Sequence, residues 1–149
     1  MGFPTVGTTA TSSRASDAVD DSVTLPASVA AGDLVIVFHT ADLGGTRTFP
    51  GSWVEIKDAI APTDQASIGV AYLIAAGGET AVTVTKSATG RFTALAIRIT
   101  AATWHGTTPP EISTGATGNT QTPDPDSVTA SWGSDDNLLI AVALIDNSG

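Results

Sequence analysis

The stretch DLVIVFHT (residues 33–40) decides the fold. It is a run of β-branched and large apolar side chains, long enough for one strand and too short for a typical helix. Its ends are polar and its middle is apolar on both faces, which places it at the centre of a sheet. A near copy, NLLIAVALI, occupies residues 137–145. The same tripeptide opens both regions: Ser22-Val23-Thr24 ahead of the first and Ser127-Val128-Thr129 ahead of the second. The two regions read as twin hairpins, residues 22–40 and 127–145, with the remaining strands gathered around them.

Outward from these ribbons the pattern stays β. Residues 53–60 alternate, with Val54, Ile56 and Ile60 on one side and Trp53, Glu55 and Lys57 on the other. Residues 67–75 carry Ile68, Val70, Tyr72 and Ile74 on one face. Residues 80–86 and 92–100 read as two further strands separated by a turn at SATGR. Gly44-Gly45 and Pro50-Gly51 mark residues 41–52 as a loop, and Gly77-Gly78 marks a hairpin. Short strands are expected near residues 5–11 and near Ile112, and another over 127–132. The expected fold is therefore all-β: an antiparallel β-sandwich or jelly roll of about nine strands without substantial helix. Residues 1–21, rich in Thr, Ser, Gly and Ala, are expected as a flexible N-terminal arm. Residues 22–149 are expected as a single β-sandwich domain with a long loop at 105–126.

Composition bounds the function. With 42% hydrophobic and 14% charged residues, the 149-residue chain is globular, with enough length for a core. A net charge of −9 repels phosphate backbones and offers no basic patch to anionic lipid, so neither nucleic acid nor membrane is an expected partner. No apolar run approaches the roughly 18–20 residues of a membrane span, and the N-terminus lacks the charged and apolar regions of a signal peptide. The absence of cysteine removes disulfides, thiolate chemistry and Cys-based zinc sites.

Catalytic signatures are also missing. There is no G-x-S-x-G elbow, no H-E-x-x-H and no P-loop. His39 reads as a polar residue ending the central strand; pairing it with Asp33 or Asp42 requires loop 41–52 to fold back. Asp20-Asp21, Asp124/Asp126 and Asp135-Asp136 lie in turns or flexible stretches, where carboxylates are usually solvated. No catalytic, cofactor-binding or metal-ligating residue is assigned, and no cofactor or enzymatic activity is expected. Aromatic side chains remain as contact candidates, since an exposed ring stacks on a sugar or anchors a partner. Trp53 is expected outward, Trp104 and His105 open the long loop, and Trp132 is expected in the core. Trp53, Trp104, His105 and Glu111 form the candidate partner-contact set.

Five segments in order carry a resemblance: LPASVAAGDLVIVF, GGTRTFPGSWVEIKDA, IGVAYLIAAGGETAVTVT, RFTALAIRITAATWHGTTPPE and SVTASWGSDDNLLIAVA. Together they resemble a group of tailed-bacteriophage and prophage virion proteins, over most of residues 20–146. The resemblance implies a β-sandwich, tail-associated or on the capsid surface, made in the host cytoplasm and located in the virion. It implies a homo-oligomer contacting other virion proteins through polar arms. The alternative expectation is a carbohydrate- or receptor-binding module of a tail fibre, with a host-surface glycan as partner.

Overall fold

A computed structural model describes residues 3–43, 45–61, 66–114, 126–131 and 137–143. Trp132, Asp124, Asp135 and Asp136 lie outside the described residues. The described chain is all-β. One antiparallel sheet holds β1 (Val6–Thr24), β2 (Leu34–Asp42), β3 (Arg47–Thr48), β4 (Val54–Ile60), β5 (Ala66–Ile74) and β6 (Ala81–Ile99). Helix is absent among the described residues. The strand order is β1-β6-β2-β5-β4, with the short β3 also paired to β6.

The central position of β2 follows from its sequence. Leu34, Ile36 and Phe38 face one cluster, and Val35 and Val37 face the other. Both faces are buried, so the strand is flanked by β5 and β6 and carries no polar alternation.

The sheet doubles over itself, and two registers prove it. Asp21 of β1 lies opposite Val84 of β6, while His39 of β2 lies opposite Ala94 of the same strand. The ten residues from Val84 to Ala94 would span ~33 Å if fully extended. Yet Asp21 Oδ2 is 2.9 Å from His39 Nε2. β6 must therefore bend back between these positions. Its partner bends with it: the β1 register shifts between Arg14 and Ala18 and again between Ala18 and Asp20. Such bulges sharpen local bending and twist. Gly90 sits at the corner, where its Cα lies against the Asp42 carbonyl.

The doubled sheet encloses an inner cluster and leaves an outer one. The inner cluster joins Val23, Val35, Val37, Val82, Val84, Phe92, Ala94 and Ala96, with Phe49 and Trp53 at its side. The outer cluster is built on Leu34, Ile36, Phe38, Val70, Ile97 and Ile99, and is covered by Trp104 and Leu138. Asp33 fastens the entrance of β2. Its carboxylate accepts from the amides of Ala30 and Ala101, and from Arg98 Nε at 2.6 Å. Burial works to raise the Asp33 pKa, but those two amides and the Arg98 guanidinium outweigh it and hold the carboxyl below its usual range.

Several expectations are corrected here. Residues 6–21 are not a loose arm but most of β1, and the boundary expected at residue 21 falls inside that strand. Their side chains are largely exposed, so apolar patterning could not reveal them; backbone pairing to β6 orders them. SATGR is no turn, because β6 runs through it unbroken from Ala81 to Ile99. Residues 22–40 are no hairpin either, since β1 and β2 pair with β6 rather than with each other. Part of loop 41–52 forms β3. Residues 111–114, 126–131 and 137–143 are not strands, and six strands stand among the described residues where about nine were expected.

Gly90 is the corner's most sensitive point. A Cβ there would meet the Asp42 carbonyl oxygen at 2.5 Å, and backbone cannot yield as a flexible side chain would. Gly90→Ala is expected to destabilise the fold by about 1–3 kcal/mol, measured as a lowered urea midpoint with an unchanged slope.

Candidate functional site

The inner face holds a buried ionic network to which each of the six strands contributes. Alternation explains how polar residues arrive there. Val35-x-Val37-x-His39, Val82-x-Val84-x-Lys86 and Asp21-x-Val23 each continue an inward apolar series with a polar side chain. β3 adds Arg47, β4 adds Asp58 and β5 adds Ser67.

Asp21 is the first hub. Fully buried, it accepts from Arg14 Nη2 through Oδ1, and its Oδ2 lies 2.8 Å from Lys86 Nζ and 2.9 Å from His39 Nε2. Arg47 is the second. Its Nε donates to His39 Nδ1 at 3.2 Å, Nη1 reaches Asp58 Oδ1 at 3.0 Å, and Nη2 reaches Ser67 Oγ at 2.6 Å. Gly69 makes room for Arg47, since a Cβ at that position would lie 2.3 Å from Arg47 Cδ. Phe92 stacks on the imidazole with ring centroids 5.3 Å apart and planes 7° from parallel. Among the described residues no buried side-chain polar atom lacks a hydrogen-bond partner.

Donor geometry sets the His39 tautomer. A guanidinium has only donors, so Nδ1 must accept from Arg47 and the proton sits on Nε2, donating to Asp21. The ring is neutral. Burial chiefly, and the Arg47 charge next, push its pKa down to about 4, against the opposing pull of Asp21. Burial likewise lowers the Arg47 pKa, while Asp58 resists that shift.

An Asp-His pair beside a serine resembles a hydrolytic triad, but the geometry differs. The second imidazole nitrogen faces Arg47 rather than a nucleophile. Ser67 Oγ instead donates to the Leu43 carbonyl at 2.9 Å. The His39 and Asp21 side chains are both sealed from solvent. A general base needs reach to a substrate proton; this assembly reaches only other strands. Its chemistry is structural, tying β1 and β6 to β2, β3, β4 and β5.

The expected contact residues do not converge. Trp53 is half-buried and packs on Phe49 with centroids 5.9 Å apart, on the inner cluster. Trp104, only 7% exposed, belongs to the outer cluster and donates its indole N–H to the Gly32 carbonyl at 3.0 Å. His105 is exposed, with Nδ1 at 3.0 Å from Thr107 Oγ1. Glu111 is exposed and accepts from the Ser131 amide at 2.8 Å; hydrogen bonding to the Ser131 side chain first, and to its amide next, draws the carboxyl below the usual range. The two tryptophans thus serve opposite faces of the sheet. Arg47 and Lys86 were not singled out from the sequence, and Asp21, expected with Asp20 as a solvated carboxylate in a turn or flexible stretch, is instead fully buried within β1; the inward register of Asp21 and Lys86 was readable in the alternation.

With this geometry the chain defines a class: an all-β protein whose single antiparallel sheet closes over an ion-pair network. No family model, curated protein or solved structure matches it.

Removing Asp21 leaves buried cations without their counter-charge. Asp21→Ala is expected to destabilise by about 3–5 kcal/mol, read by chemical denaturation. His39 gives a pH signature. Its folded pKa of about 4 lies below the ordinary 6.5, so the folded state binds its proton less readily. The stability it confers is complete above pH 6.5 and is lost as pH falls toward 4, a change of ~3 kcal/mol. His39→Gln should flatten that part of the stability–pH curve relative to wild type.

Proposed function

We propose that this protein is a non-enzymatic structural component of a bacteriophage virion, exposed on the particle as a capsid decoration or tail-associated protein. The sequence resemblance over residues 20–146 supports the class of particle. The observation that carries an assembly role is the apolar run at residues 138–143. It stands outside the sheet, with Leu139 73%, Ile140 41% and Val142 36% exposed. Monomeric soluble proteins rarely leave such a run uncovered, and its composition suits a strand within a sheet.

In this reading residues 127–131 and 137–143 help complete a sandwich or jelly roll when copies and neighbouring virion proteins pack together. Assembly occurs in the host cytoplasm, and the mature location is the virion. The acidic chain favours solubility before assembly. The polar surface of β1 and the segment carrying His105 and Glu111 supply contact surface for other subunits. The glycan-binding alternative gains no support from Trp53 and Trp104, whose rings pack into opposite clusters.

The test is mass spectrometry of purified particles from a host carrying the gene. The protein should be present in many copies per particle, and particles free of it would overturn the proposal. A second measurement is sedimentation of the isolated protein: Leu139→Asp should shift any oligomer toward monomer without altering the circular dichroism of the sheet.

A further inference from the structure

Lys86 and Asp21 meet inside the fold from neighbouring strands, with Nζ 2.8 Å from Oδ2 and side-chain exposures of 3% and 0%. In water an ammonium and a carboxylate stay ionised and apart. Passage of one proton from Nζ to the carboxylate across this contact would leave an amine beside a carboxylic acid. Those are the reactants of an amide bond, held at contact distance by the fold.

The surroundings divide the two carboxyl oxygens between two tasks. Oδ1 receives the Arg14 guanidinium, a fixed donor where negative charge develops on a tetrahedral intermediate. Oδ2 faces both Lys86 Nζ and the His39 Nε2–H, at 2.8 and 2.9 Å, which marks it as the departing oxygen. Lys86 also donates to the Gly90 carbonyl, which steers its amine at the corner of β6. Phe92 stacks on His39 and has the Lys86 Nζ 5.9 Å from its ring centroid, an apolar wall beside the pair.

We propose that Lys86 and Asp21 condense to an intramolecular isopeptide bond that cross-links β6 to β1. The Nζ–Cγ bond forms and the Cγ–Oδ2 bond breaks. Of the three ammonium protons, one stays on the amide nitrogen and two leave with Oδ2 as water. No electrons are exchanged, so no oxidant or reductant is required. The product suits the site: one charge of each sign disappears, and the amide oxygen remains on Arg14. His39 is a positioning residue, holding Oδ2 toward the lysine.

Intact mass spectrometry of the purified full-length protein tests this directly. The mass should be lower than the sequence mass by one water. Trypsin should release residues 15–47 joined to residues 58–91, uncut after Lys86. Lys86→Arg keeps the cation but lacks the amine nucleophile, and should show the full sequence mass. An unmodified wild-type mass in protein shown to be folded by circular dichroism would overturn the proposal. So would a water loss that persists in Lys86→Arg, or one that fragmentation places on a peptide without Lys86.

Discussion

The fold rests on the approach of Asp21 of β1 to His39 of β2 across the doubled sheet. It joins positions that lie ten residues apart along β6, so it exists only if the sheet has doubled over. Around it, Lys86, Arg47 and Asp21 are taken out of water, while Arg14 and Asp58, partly exposed, complete the ion pairs from the rim. Desolvation of such groups is expensive and their attraction repays it only with good geometry. The network is therefore better understood as a specifier than as a source of net stability. A slip of one residue in any strand would turn its polar member outward and strand the others unpaired.

The same argument explains what the sequence disclosed. The apolar middle of residues 33–40 and the alternation around Ile68, Val70 and Tyr72 reported central and half-buried strands, because burial leaves its period in the side chains. The antiparallel, helix-free class was legible for that reason. β1 was not, because the outer part of that strand holds its place by backbone pairing, which leaves no trace in polarity. The continuity of β6 was hidden by Ser87, Thr89 and Gly90, residues that turns and tight corners share. His39 was read as a polar end-residue, yet it continues the inward series of Val35 and Val37. Following that series one step past the apolar run would have turned it into the core. Arg47 had no such signal, since a two-residue strand shows no period.

Inside and outside of the sheet thus carry different messages. The most deeply buried ion pairs face inward and are spent on geometry, while the surface carries threonine, serine, scattered apolar side chains and charges such as Asp17, Asp20, Glu55 and Arg91. Among the described residues after Trp104, Leu138 packs on the outer cluster, and bonds run from Lys57 to the Thr114 carbonyl and from the Ser131 amide to Glu111.

The register Val6 opposite Ile99 also sets an order of events during synthesis. β1 leaves the ribosome before its partner β6, and because Thr24 pairs with Ala81 it must wait unpaired while the residues from 25 to 80 are made. Until then its ladder is open to other nascent chains on the same messenger. Its succession of serines, threonines, Arg14, Asp17 and Asp20 gives those neighbours little to adhere to. The polarity that concealed this strand from a reading of the sequence is what lets it wait safely in water.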